Sequence, residues 1–223
     1  MMERKYTLIL TSKGFESEEG TNIIRIALEK TGRTVLKSLN ILLVTIEEYG
    51  ADERMYNNCK SLGFKNVYLS KDYEERLISE GRDCMPHIDM VFVTQGNTFE
   101  VVEYMVKYGF FQYIREIIYD GGIYIGASAG AIISGKDFGL AEKFDINYPE
   151  ISDYTALELM PEKDTIIPHY TFEDNKRFVQ SLDNKTKAKY TRIYNVANDE
   201  AIIMTCIKAN GNVELVNRKR IRV

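Results

Sequence analysis

Histidine is nearly absent from this chain: His87 and His169 are the only two, so any chemistry that needs an imidazole base has two candidates. Cysteine is scarce as well. Cys59, Cys84 and Cys206 lie far apart with no C-x-x-C spacing, which argues against a zinc site and a disulfide framework and fits a reducing cytoplasm. No apolar run approaches the roughly 18 residues a membrane span requires. The short run Leu8-Ile9-Leu10 is broken at once by Thr11-Ser12-Lys13-Gly14 and reads as a buried strand, not a signal peptide. Positive charge is not in excess either. A net charge of −4 leaves no general basic field for nucleic acid or anionic lipid. The short basic stretch Arg218-Lys219-Arg220 with Arg222 alternates with Ile221 and Val223, as a solvated edge strand would. Internal repeats and low-complexity tracts are also missing.

What is present suits a packed core. Hydrophobic residues make up 44% and charged residues 28% of 223 residues, so residues 1–223 are expected to form one α/β domain. Strand-like runs cover Tyr6 to Leu10, Asn40 to Ile46, Asn66 to Leu69 and Met90 to Val93, and a further one leads up to Ser128. Helical spacing separates them. Ile23, Ile24, Ala27 and Leu28 mark one helix, Ala51 to Phe64 a second and Tyr73 to Ser79 a third. One long helix is expected from Val101 to Ile114, ended by Gly121-Gly122. Strands alternating with helices in this way predict a doubly wound, mostly parallel sheet whose functional crevice lies beyond the carboxyl ends of its strands. Residues 135–164 read as long loops with at most one strand or short helix. Thr165 to Tyr170 is a short strand, Phe172 to Leu182 a helix, and Arg192 to Ala197 and Ala201 to Ile207 are strands about the Asn198-Asp199-Glu200 turn. A hairpin at Ala209-Asn210-Gly211-Asn212 returns through Val213 to Val216.

Gly126-Ala127-Ser128-Ala129-Gly130 satisfies the G-x-S-x-G pattern of a nucleophile elbow, where small neighbours allow a sharp strand-to-helix turn with the hydroxyl exposed. The helix after it would aim N–H groups and a dipole end at the serine. Ser128 as a plain N-cap is the competing reading. A nucleophile needs a base. His87 precedes its strand, at the wrong end of the sheet for the crevice, whereas His169 follows an apolar strand and Pro168 and can meet Ser128 at the sheet's rim. A third group should hold the imidazole. Asn198, Asp199 and Glu200 share one turn, and Asp137, Asp145, Asp153 and Asp164 lie between serine and histidine. The main-chain N–H groups of Ala129 and Gly96 are the candidates for an oxyanion hole.

Three blocks in fixed order, Gln95-Gly96-Asn97-Thr98-Phe99, Gly126-Ala127-Ser128-Ala129-Gly130 and Pro168-His169-Tyr170, resemble the aspartyl dipeptidase and cyanophycinase family of serine peptidases. The resemblance covers nearly the whole chain. It implies a class I glutamine amidotransferase-like (flavodoxin-like) three-layer sandwich and metal-free, cofactor-free cleavage of small peptides. By the same resemblance Ser128 is the nucleophile, His169 the base, Gly96 an oxyanion donor, and Asn97 and Thr98 lie on the substrate side. Gln95 departs from the family's usual glycine. An ungapped match counted back from Ala201 selects Asn198 as third triad member, a one-residue shift Asp199 and a two-residue shift Glu200. A carboxylate stabilises an imidazolium better, so Glu200 is placed first. Members that require an N-terminal aspartate carry an arginine three residues before a second arginine in the helix after the histidine. If Arg177 is that second one, Asp174 holds the selective position and would repel an aspartate.

Two rival readings stand beside a cytoplasmic exopeptidase. An α/β-hydrolase esterase would take its acid from Asp145 or Asp164, in the chain order Ser, acid, His. A non-catalytic amidotransferase-like domain would bind a ligand through the same crevice. Neither a nucleic acid nor a membrane is expected as partner, and the oligomeric state is left open.

Overall fold

The structure is a computed structural model that describes residues 4–32, 35–46, 51–170 and 172–223, with the backbone alone at 51, 172, 174–176 and 179. The elements run β1 (Lys5–Thr11), α1 (Glu18–Lys30), β2 (Asn40–Val44), α2 (Ala51–Ser61), β3 (Asn66–Leu69), α3 (Glu74–Glu80), β4 (Met90–Val93), α4 (Thr98–Lys107), α5 (Phe110–Tyr119) and β5 (Ile123–Ala127). They continue with α6 (Ala129–Ile132), β6 (Asp164–Ile167), α7 (Phe172–Ser181), α8 (Asn184–Lys189), β7 (Arg192–Asn195), β8 (Glu200–Ala209) and β9 (Asn212–Arg222).

Seven strands form the main sheet in the order β3-β2-β4-β5-β1-β8-β9. The first five in that order are parallel, while β8 pairs antiparallel with β1 and β9 antiparallel with β8. Alternate residues of each strand point to opposite faces. Leu8 and Leu10, Val91 and Val93, and Tyr124 join Phe99, Met105, Phe110 and Ile118 of α4 and α5 on one face. On the other, Ile9, Met90, Phe92, Ile123 and Ile125 meet Ile23, Ala27 and Leu28 of α1 and Met55 and Cys59 of α2. Helices therefore cover both faces, giving three layers. Each fully buried Leu, Ile or Phe contributes about 1.5–3 kcal/mol, and both faces are lined with them.

Local signals explain the helix ends. Ser17 accepts from the Gly20 N–H at the start of α1, whose first turn carries Glu18 and Glu19 and whose last carries Lys30. The helix expected from Val101 to Ile114 is two helices instead. Gly109 takes φ 77° between them, a left-handed residue that ends α4 and lets α5 start on a new axis.

A second correction concerns β6. It does not join the main sheet; it pairs only with β7, in a separate two-stranded parallel sheet. The strands flanking the Asn198-Asp199-Glu200 turn thus belong to different sheets, and the turn is the bridge between them. Residues 135–164 form long loops with a short 3-10 turn at Gly139–Lys143 and a single bridge between Asp137 and Thr155. The basic stretch lies in β9 at the sheet's edge, as expected.

Candidate active site

The carboxyl ends of β4, β5 and β1 lie side by side, and the turns leaving them meet. Ser128 follows β5, its N–H donating to Thr11 O (3.0 Å), while Gly130 N–H donates to Thr94 O (3.1 Å) in the turn after β4. The glycines of the elbow are there for space. A Cβ on Gly130 would stand 2.2 Å from Val93 O, and one on Gly126 would stand 2.5 Å from Gly130 O. Tyr124 Oη also donates to Gly130 O (2.6 Å), so the backbone at this corner is clamped from beneath. Ser128 sits at φ 51°, a conformation that L residues hold only when the surroundings impose it.

The side chain of Ser128 makes no cap hydrogen bond. Its Oγ instead lies 2.8 Å from His169 Nε2, and His169 Nδ1 lies 2.9 Å from Asn198 Oδ1. An amide oxygen can only accept, so Nδ1 carries the proton and Nε2 is left free to receive one from the serine. The three side chains therefore form a line of hydrogen bonds running from Ser128 through His169 to Asn198.

His169 is held from behind. Its N–H donates to Ser12 Oγ (2.8 Å), and Ser12 Oγ donates to Val196 O (2.7 Å), which also accepts from Tyr170 N–H (3.2 Å). The histidine, too, has a positive φ, 59°. Ser12 is fully buried at the end of β1 and ties the main sheet to the β6–β7 sheet. Sequence reasoning passed over it, because a serine in a loop after a strand carries no local signal.

The preference for Glu200 as the third member is corrected. Glu200 opens β8 and is turned inward, where it pairs with Arg220 (2.9 Å) and Arg222 (3.3 Å) and accepts from Ala197 N–H (3.2 Å). Asp199 pairs with Arg222 (3.1 Å). These ion pairs brace the turn and leave Asn198 at its outer corner, facing the imidazole. Asp137 accepts from Tyr190 Oη (2.6 Å), Asp153 caps its own turn at Thr155, and Asp164 accepts from Tyr194 Oη (3.0 Å). Neither Asp145 nor Asp164 touches His169, so the Ser, acid, His order of an esterase finds no acid. His87 lies at the amino end of β4, its side chain 80% exposed and 3.3 Å from Asp89.

Other expectations need revision. The helix after Ser128 is α6, a single turn, so little macrodipole acts there and the local N–H groups carry whatever stabilisation the elbow offers. Among the described residues neither Ala129 N–H nor Gly96 N–H has an acceptor, which leaves both available to a ligand. Gly96 takes φ 133°, and a Cβ there would press on Ile46 at 2.9 Å. Thr98, expected on the substrate side, is fully buried and donates its N–H (2.9 Å) and Oγ1 hydrogen (2.6 Å) to Asp145 Oδ2. Asn97 is spent in similar fashion: its Oδ1 caps α4 and its Nδ2 donates to Ile146 O (2.8 Å). The side chain of Asp174 lies outside the described residues.

Beside the serine is a cavity of about 470 Å³, lined by Ser128, Ile132, Phe144, Asp145, Pro168, His169, Tyr170 and Arg177. Phe144, Tyr170 and Phe178 pack edge-on or tilted against one another at its side, with ring centroids 5.0–5.8 Å apart. Among the described residues no group of three or more ligating side chains could hold a metal ion, and no helix is long and apolar enough to cross a membrane.

Residues 43–210, well over half the chain and all of the serine, histidine and asparagine segments, match Peptidase family S51. The chain belongs to peptidase family S51. Relatives include an uncharacterized peptidase of Pasteurella multocida, 30% identical over 60% of this chain and 64% of its own length. Peptidase E of Haemophilus influenzae is 28% identical over 56% of this chain and 52% of its own length. The chain thus spans between about a third and two thirds of the length of the curated relatives it matches. Among solved structures, a provisional peptidase E from Listeria monocytogenes superposes with a TM-score of 0.66 at 24% identity, covering 97% of this chain and 99% of the other. A peptidase from an acI-B1 actinobacterium gives 0.61 at 14% identity. The family S51 chain therefore shares their fold, the class I glutamine amidotransferase-like three-layer sandwich.

Proposed function

We propose that this chain is a serine exopeptidase that hydrolyses dipeptides or short peptides through an acyl-enzyme. The observation that carries the reading is the line Ser128 Oγ, His169, Asn198 Oδ1, with contacts of 2.8 and 2.9 Å, opening on a cavity of about 470 Å³. In the first half-reaction Ser128 Oγ attacks the scissile carbonyl carbon and its proton passes to His169 Nε2. The carbonyl oxygen, now negative, is met by the N–H groups of Ala129 and Gly96, each such donor typically giving roughly 10²- to 10³-fold in rate. Collapse expels the leaving amine, which takes the proton from His169, and an ester to Ser128 remains. Water then attacks that ester with His169 again as base, freeing the acid product and Ser128. Asn198 keeps the imidazole in the reactive tautomer throughout.

Arg177 lines the cavity and has no ion-pair partner among the described residues, which supports an anionic group on the substrate's first residue. A dipeptide panel with N-terminal Asp, Lys, Ala and Leu decides how far that preference goes. The three free cysteines support a reducing cytoplasm as the compartment.

The central test is a fluorophosphonate probe combined with dipeptide turnover. Labelling should be lost in Ser128→Ala, and kcat/KM should fall on the order of 10⁴-fold or more. Folded wild-type protein that resists the probe and turns over no dipeptide would favour a binding domain.

A further inference from the structure

The end of β1 holds both Ser128 and His169 by their main chains. Thr11 O accepts from Ser128 N–H (3.0 Å), and the next residue, Ser12, accepts from His169 N–H through its Oγ (2.8 Å). Ser128 and His169 both sit at positive φ, 51° and 59°, which L residues keep only where the surroundings impose it. Ser12 is fully buried, so bulk solvent does not compete for its hydroxyl. A hydroxyl has one proton, and this one goes to Val196 O (2.7 Å), which turns a lone pair toward His169 N–H. Val196 N–H in turn donates to Ile167 O (3.0 Å), at the end of β6. One hydroxyl thus links β1 to the segments that leave β6 and β7.

We propose that Ser12 is a positioning residue: its hydroxyl fixes the backbone of His169 against the strand end that also holds Ser128, and so sets how the imidazole meets the nucleophile. The assignment rests on Ser128 acting as nucleophile and His169 as base. Nε2 lies at the far end of its side chain, so a small turn of the His169 backbone is magnified there. A displacement of about 1 Å can cost roughly 10²-fold in rate. Alanine at position 12 would leave His169 N–H facing a buried methyl group, a costly loss that the backbone relieves by leaving its imposed conformation. The imidazole would then swing off the line between Ser128 Oγ and Asn198 Oδ1, and Nδ1 would lose the acceptor that keeps its proton there. Ser12 does not itself line the cavity of about 470 Å³ beside Ser128, so the surfaces that meet a substrate stay as they were. The loss falls on the chemical step.

The experiment compares Ser12→Ala and Ser12→Cys with wild type by kcat and KM on a dipeptide, by the rate of fluorophosphonate labelling, and by the nitrogen–proton NMR spectrum of the imidazoles. Only two histidines are present, and His87, its side chain 80% exposed at the other end of the sheet, serves as the internal reference. Wild type should show His169 with its proton held on Nδ1, against a mixture of tautomers at His87. In Ser12→Ala, kcat and the labelling rate should fall about 10- to 100-fold with KM within about threefold, and His169 should become a mixture as well. Cysteine keeps the shape and bonds more weakly, so Ser12→Cys should lie between the two, and it carries the test where the alanine variant does not fold. Ser70→Ala removes another fully buried hydroxyl, one that accepts from Thr45 N–H (3.3 Å) just after the edge strand β3. It should lower the thermal midpoint and leave kcat and the His169 tautomer unchanged. A fixed Nδ1 tautomer in Ser12→Ala, a kcat within about threefold of wild type, or a loss carried by KM overturns the assignment, and so does an equal fall in Ser70→Ala. Wild type that resists the probe overturns the nucleophile reading, and the catalytic part of the assignment with it; the spectrum needs no turnover and so tells the two failures apart.

Discussion

At the scale of single residues, the site depends on atoms that are absent as much as on those present. Gly130 has no room for a methyl group beside Val93 O, so Gly130→Ala should cost about 1–3 kcal/mol or displace the elbow, read as a lower thermal midpoint together with slower Ser128 labelling. Ordinary stability with full labelling would contradict the close approach. Asn198 makes a sharper prediction. Asn198→Asp places a negative charge against Nδ1 and favours the protonated imidazole, so the acidic limb of the kcat/KM profile should move to higher pH. Asn198→Leu should lower the rate without that displacement. That Ser128 and His169 meet was legible, because G-x-S-x-G is a local pattern and histidine is so rare that elimination leaves one partner. The choice among Asn198, Asp199 and Glu200 was not. It depends on the register of β8 against β1, where Ala201 faces Thr11, and on two arginines some twenty residues further along.

At the scale of elements, the β6–β7 sheet and the turn that leaves it are what bring the imidazole into place. Arg220 donates to Glu200 (2.9 Å) and to Asn195 O (2.8 Å), so it joins both ends of that turn. Arg220→Met, which keeps the stem and loses the fork, should lower kcat/KM about tenfold by letting Asn198 drift, with little change in KM. An unchanged rate would show that the turn holds itself. Within the small sheet, burial raises the carboxyl of Asp164 above its ordinary pKa, an effect that Tyr194 Oη and Arg192 oppose. A carboxyl whose folded pKa is raised gives its full stability below the unfolded value, and that stability is lost as pH rises through the folded value. Asp164→Asn cannot ionise and still accepts from Tyr194. Its thermal midpoint relative to wild type should therefore climb as the pH rises above about 4, the ordinary carboxyl value. A constant difference across that range would remove the argument. Sequence periodicity placed β3 and β4 to the residue, since short apolar runs bounded by polar residues leave little freedom. It missed the break at Gly109 and could not assign β6 to a second sheet, because a four-residue apolar strand looks the same wherever it pairs.

At the scale of the whole molecule, a wide sheet covered on both faces supports a two-stranded annex from which His169 reaches Ser128. The layered part was legible, since near-continuous apolar strands alternating with one-faced helices admit few other arrangements. The annex was not, as its ties to Ser12 and Arg220 are distant in the chain. Units with few strands open more readily than wide sheets. Activity should thus disappear at a lower urea concentration than the far-ultraviolet circular dichroism signal, and amides of β6 and β7 should exchange faster than those of β5. Coincident loss of both would mean that the two parts unfold as one. The aromatic trio beside the cavity has an optical consequence. The chain contains no tryptophan, so placing one at Phe144, already 42% exposed, would create a lone indole whose emission reports directly on whether the neighbouring space is wet or filled.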